Sequence, residues 1–194
     1  MTVTWSETQP AGNANKAWRC CNMSSDGSKM LAGVNGGRLY LYSGGSWSET
    51  QPAGNADKNW YATAMSSDGS KMLAGVYGGR LYLYSGGSWS ETQPAGNANK
   101  AWWPSALSSD GSKMLAGVYG GRLYLYSGGS WSETQPAGNA NKDWASCAIS
   151  SDGSKMLASV WDGRLYLGYY PLDGTLRWTE LTGGMQMLSG GMRG

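Results

Sequence analysis

The sequence predicts an all-β protein, a small β-propeller of four near-identical, four-stranded blades with unmatched terminal strands. Three observations predict it. Trp5, Trp47, Trp89 and Trp131 each open the run WSETQPAGNA at a spacing of 42, and Trp18, Trp60, Trp102 and Trp144 keep the same spacing. Periods of about 40 to 45 residues mark propeller blades. Turn signals recur every 8 to 12 residues, and the stretches between them alternate apolar and polar residues with no helical period.

The second copy shows the elements in order. A first strand over Trp60 to Ser66 ends in the hairpin signal Ser-Asp-Gly-Ser, where Asp and Gly tolerate the positive φ of tight turns. A second strand runs from Lys71 to Tyr77, and Gly78-Gly79 turn the chain again. The third strand, Arg80 to Tyr84, alternates Leu and Tyr, and Ser85-Gly86-Gly87 leads to the fourth, Ser88 to Gln93. PAGNANK then crosses to the next blade. The blades are expected at about 11–52, 53–94, 95–136 and 137–181, within one domain spanning 1–194, flanked by a terminal strand at 2–9 and a tail at 182–194.

Composition removes several classes of function. The 194 residues include no His, which excludes a Ser-His-Asp triad, a Cys-His pair and a His-ligated metal. Fifteen basic side chains nearly balance thirteen acidic ones, leaving no electrostatic case for nucleic acid. No apolar run approaches the roughly 20 residues of a membrane helix, so no membrane insertion is expected. Asp26, Asp68, Asp110 and Asp152 sit in tight turns, and no carboxylates face each other as acid and base. The DGS turns lack the further carboxylates of a calcium loop. The chain is read as non-enzymatic, with no cofactor and no metal.

The run RLYLYSGGSW, followed by a strand and SSDGSK, resembles the sialidase-type or Asp-box propeller repeat, with Ser85, Gly87 and Trp89 at the matching hairpin. The box is shortened and its Asp is missing. The resemblance covers about 170 residues and implies the propeller fold. It implies no activity, because the arginine cluster, Tyr nucleophile and acidic partners of sialidases have no counterpart; Arg38, Arg80, Arg122 and Arg164 are one residue repeated.

The copies differ from one another mainly in two places. The first strand reads WRCCNM, WYATAM, WWPSAL and WASCAI, and the turn after the second strand reads NGG, YGG, YGG and WDG. Antiparallel strands bring both places to one face of the disc, where loops on a rigid scaffold carry function. Tyr61, Tyr77, Trp103, Tyr119 and Trp161 are expected to be exposed there, beside Asn55, Asn97 and Asn139 of the crossovers. Aromatic rings cover the C–H face of a sugar while amides bond its hydroxyls, so glycans are an expected ligand class. The bland reading is drift at positions with little packing constraint.

Cys21 and Cys147 occupy equivalent slots in copies one and four. If four blades close a ring these copies are neighbours, and a disulfide becomes geometrically open, against the alternative of free thiols. The ends are unequal. Four sets of first-to-third strands face five segments resembling the fourth strand: Thr2 to Gln9, three full copies, and LRWTEL at Leu176 to Leu181. Met185 to Gly191 resembles a further first strand. Either Thr2 to Gln9 completes blade four, or LRWTEL does and the N-terminal segment is surplus. A surplus strand bearing a Trp, with Trp5 and Glu7 on one candidate and Trp178 on the other, points to strand addition onto a second chain, and so to a homo-oligomer or filament. The donor is expected to be the N-terminal segment, which keeps the full repeat sequence. Self-assembly is the first expectation for function, a multivalent carbohydrate-binding propeller the second, an artificially amplified repeat scaffold the third. An extracellular or cell-surface location is expected, although Met-Thr-Val-Thr-Trp is not a signal peptide.

Overall fold

Residues 2–171 and 173–181 are described in a computed structural model. They form sixteen strands in four antiparallel sets. Blade one holds β1 (Trp18–Met23), β2 (Met30–Val34), β3 (Leu39–Ser43) and β4 (Ser46–Thr50). Blade two holds β5 (Trp60–Met65), β6 (Met72–Gly79), β7 (Leu81–Ser85) and β8 (Ser88–Thr92). Blade three holds β9 (Lys100–Leu107), β10 (Met114–Val118), β11 (Leu123–Ser127) and β12 (Ser130–Thr134). Blade four holds β13 (Trp144–Ile149), β14 (Lys155–Val160), β15 (Leu165–Tyr169) and β16 (Arg177–Glu180). The β-propeller expected from the repeat is therefore present, blade by blade.

Turn chemistry explains the strand ends. Ser85 pairs with Ser88 across Gly86 and Gly87, whose φ values of 62° and 87° need residues without a Cβ. At the opposite hairpin the buried Ser66 hydroxyl donates to Asp68 Oδ1 at 2.7 Å and accepts the Lys71 N–H at 3.0 Å. Asp68 also accepts the Ser70 N–H at 2.9 Å, and the pattern repeats in every blade.

Blade four is closed by its own chain. β16 pairs with β15 in the common register, Tyr166 opposite Glu180 as Tyr82 is opposite Glu91. Gly168 replaces the Tyr of the other blades, and the Trp178 ring lies where its Cβ would stand. Of the two expected closures, LRWTEL therefore holds the outer slot, and Trp178 belongs to blade four rather than to a surplus strand. Thr2 to Gln9 forms no strand. The expected first strand at Met185 to Gly191 lies outside the described residues.

The core is not inside the blades but between them. Leu31 and Leu39 at the back of blade one pack against Trp60, Met65, Met72, Val76 and Tyr82 at the front of blade two. Leu73 and Leu81 meet Trp102, Met114, Val118 and Tyr124 in the same way. Leu115, Leu123 and Leu125 meet Trp144, Met156 and Tyr166. Gly75 makes this approach possible, because a Cβ there would stand 2.8 Å from Trp102 Cβ. Gly33 and Gly117 play the same part at the other junctions, while blade four has Ser159 at this position.

Two strips of backbone bonds and one of side-chain bonds run along each junction. On one face Ser25 N–H donates to Ser67 O at 2.8 Å, Ser67 to Ser109 and Ser109 to Ser151. On the other, Gly37 bridges Lys58, Gly79 pairs with Lys100, and Gly121 bridges Lys142. At the outer rim Trp89 Nε1 donates to Thr50 Oγ1 of the preceding blade at 2.7 Å, and Trp131 and Trp178 repeat this onto Thr92 and Thr134.

No such junction joins blade four to blade one among the described residues. Trp60, Trp102 and Trp144 are each 2% exposed, whereas the equivalent Trp18 is 42% exposed. At the other end Leu165 is 37% exposed where its three counterparts are at most 1%. The four blades form an open series and not a closed four-bladed ring.

Candidate functional site

The inner strands β1, β5, β9 and β13 line a common cavity of about 300 Å³. Its mouth carries the side chains in which the repeats differ. Tyr61 and Tyr77 lie with ring centroids 5.0 Å apart, Trp103 and Tyr119 5.3 Å apart, and Tyr61 meets Trp103 edge-on at 5.6 Å. The Arg19 guanidinium sits 4.7 Å from the Tyr61 ring centre and 5.1 Å from that of Trp103, in cation–π geometry. Below them the Thr63 and Ser105 hydroxyls are buried without a hydrogen-bond partner.

The structure thus brings together Tyr61, Tyr77, Trp103 and Tyr119, although as a half-buried cluster and not as separately exposed rings. Trp161 is exposed and joins none of these ring contacts. Asn55, Asn97 and Asn139 are exposed in the crossover turns and do not line the cavity. The turns place them after the outer strands, away from the channel. Arg19 was missed by residue-type reasoning. It is the one charged residue in the four variable runs WRCCNM, WYATAM, WWPSAL and WASCAI, and that singularity was the available signal.

Cys20, Cys21 and Cys147 are free thiols. The pairing considered for Cys21 and Cys147 required blades one and four to be neighbours, and the open series of blades removes that condition. Burial pushes the Cys20 thiol up to about 11 and the Cys147 thiol up to about 12, while Cys21 is exposed. Among the described residues no group of three His, Cys, Asp or Glu side chains is placed to hold a metal.

The N-terminal segment lies at the outer rim of blade one. Trp47 Nε1 donates to Thr8 Oγ1 at 2.7 Å, the bond that Trp89, Trp131 and Trp178 make to the outer strand of the blade before them. Glu7 accepts a hydrogen bond from Gln9 as Glu49 does from Gln51. Glu49, Glu91, Glu133 and Glu180 also pair with the arginine of their own blade; Glu7 has no such pairing in the described chain. Trp5 is 93% exposed. Thr2 to Gln9 therefore holds the place of an outer strand and has no strand pairing among the described residues.

These geometries define a β-propeller with two distinctive surfaces, the aromatic channel mouth and the exposed blade-one end. No family model matches the sequence, and no curated protein matches it. Among solved structures the chain is similar to U3-55K, with a TM-score of 0.64, 12% identity, and coverage of 86% of this chain and 52% of that one. It is also similar to the RRP9 WD40 repeats, with a TM-score of 0.60, 10% identity and the same coverages. The likeness is one of fold, to WD40 propellers; an Asp-box type is not distinguished by it. The chain spans about half the length of these propellers.

Proposed function

We propose that this chain is a non-enzymatic structural and interaction protein that assembles with itself by donating its N-terminal strand to a second copy. The observation that carries this is the state of Thr2 to Gln9: a full outer-strand sequence, docked at its Thr8 in outer-strand fashion, yet unpaired and with Trp5 in solvent. The acceptor is the outer slot of blade four of another copy. There Trp5 Nε1 takes over the bond of Trp178 to Thr134, and Glu7 meets Arg164. Burying one Trp removes about 150–250 Å² from water, an upper bound of about 4–6 kcal/mol. Ordering a loose strand of this length costs on the order of 10 kcal/mol, so the whole strand must enter the ladder. Deleting residues 2–9 is expected to abolish strand-mediated assembly in light scattering, and Trp178→Ala to strengthen it by loosening the resident strand. An intact chain that assembles no better than the deleted one overturns the proposal.

A second reading, glycan binding at the channel mouth, is supported by the gathering of Tyr61, Tyr77, Trp103, Tyr119 and Arg19 over two unpartnered hydroxyls. Retention on a glycan array that is lost in Tyr77→Ala and Tyr119→Ala supports it; no retention by the intact chain removes it.

A further inference from the structure

We infer that the front of blade one receives the back of blade four from a second copy, so that two chains close one eight-bladed ring. This rests on the self-assembling reading above and concerns the same junction, but it is carried by the blade faces and not by the donated strand. The front of blade one, together with Trp5 and Thr8, bounds an apolar cavity of about 870 Å³ that includes Trp18, Met23, Met30 and Trp47. Met23 is 61% exposed there, while its counterpart Met65 is buried in the junction between blades one and two. The back of blade four presents Leu165, Leu157 and Leu167, the repeat equivalents of Leu81, Leu73 and Leu83. What covers these faces is therefore written three times in the chain itself: a leucine back meets a Trp-Met-Tyr front at every internal junction.

The backbone strips agree. The Ser151 N–H stands where Ser25, Ser67 and Ser109 donate forward, and the Ser25 carbonyl where Ser67, Ser109 and Ser151 accept. Gly163 and Lys16 likewise hold the places of the Gly37–Lys58 bridge. Donor and acceptor sit at opposite ends of one chain, so the contact is head-to-tail, and two copies close it by a twofold rotation. The four blades superpose on part of larger propellers, whose chains they cover over about half the length, so they follow the curvature of a larger ring and not that of a four-bladed one. One position differs. Ser159 replaces the glycine at which the next blade's Trp approaches, so the junction between copies is held wider than those within a chain.

Native mass spectrometry of the intact chain should give a species of twice 20.6 kDa and nothing larger. Met23→Glu and Leu165→Glu, each on a surface exposed in the single chain, should separately weaken pairing by about tenfold or more while leaving the circular dichroism and melting of the single chain unchanged. Mixing the two variants should restore a heterodimer, because one of its junctions is then unaltered. Ser159→Gly should tighten pairing. A monomeric intact chain, open-ended growth, pairing indifferent to both substitutions, or pairing lost on removing residues 182–194 overturns the inference. The two assembly readings fail separately. A chain lacking residues 2–9 that still pairs, and is broken by Met23→Glu, keeps the face contact and removes strand donation; pairing sensitive to the deletion but not to either Glu does the reverse.

Discussion

Gly75 shows how single residues set the spacing of the molecule. Its missing side chain lets Trp102 pass within van der Waals distance, and Ala62 Cβ closes the other side at 3.0 Å. Gly75→Ala should therefore destabilise the protein by about 1–3 kcal/mol, the usual cost of overpacking, measured by urea unfolding. The same change at Gly86, in open solvent, acts only through its left-handed backbone. The thiols give a second residue-scale test. Iodoacetamide at pH 8 should modify Cys21 first, because Cys20 and Cys147 are held at about 11 and 12 and the thiolate is the nucleophile. Equal labelling of all three in the native protein contradicts this ordering. At this scale the sequence was only partly legible. The variable aromatics could be assigned to one face because strand alternation and repeat spacing fix it. The stacking of Arg19 on Tyr61 and Trp103 could not, since it joins three blades whose separation no local pattern encodes.

The hairpin between the first and second strands of each blade is an element with its own chemistry. Hydrogen bonds from the Ser28, Ser70 and Ser112 backbone N–H groups, and from the neighbouring serine hydroxyls, hold Asp26, Asp68 and Asp110 at about 2 instead of 3.8. Asp152 is lowered equally, with the Ser150 hydroxyl as first cause. A carboxylate lowered in the folded state contributes stability that is fully present above its unfolded value and is lost as pH falls through the folded one. Urea midpoints should therefore decline between about pH 4 and pH 2, and Asp68→Asn should flatten part of that decline. Ser66→Ala removes a buried hydroxyl that serves both Asp68 and the Lys71 N–H, at an expected cost of about 1–3 kcal/mol. The hairpins were legible in advance, because Asp-Gly and Gly-Gly admit few backbone geometries. The outer strand of blade four was not settled, because Thr2 to Gln9 and LRWTEL satisfy the same strand pattern, and only the pairing of β16 with β15 shows which one fills the slot within the chain.

At the scale of the whole molecule, stability resides in junctions and not in blades. Each blade contributes a leucine face to one neighbour and an aromatic face to the other, so the protein is a one-dimensional series with nearest-neighbour coupling. A repeat count reveals the series but not whether it closes, since curvature is a sum of small rotations that no single repeat displays; the exposure of Trp18 and Leu165 decides it. The sameness of the junctions also bears on how such a gene changes length. Residues 95–136 can be excised so that Pro94 runs into Ala137, and the join reproduces the crossover QPAGN without a scar. The shortened protein places Trp144 against Leu73 and Leu81, and Trp178 against Thr92, in the contacts Trp102 and Trp131 held before. It is expected to fold cooperatively with one blade fewer, as followed by far-ultraviolet circular dichroism and thermal melting. Recombination between copies, by gain or loss of whole units, is therefore expected to rebuild the same leucine-to-aromatic contacts at each internal seam, so that the number of blades can drift while those contacts stay.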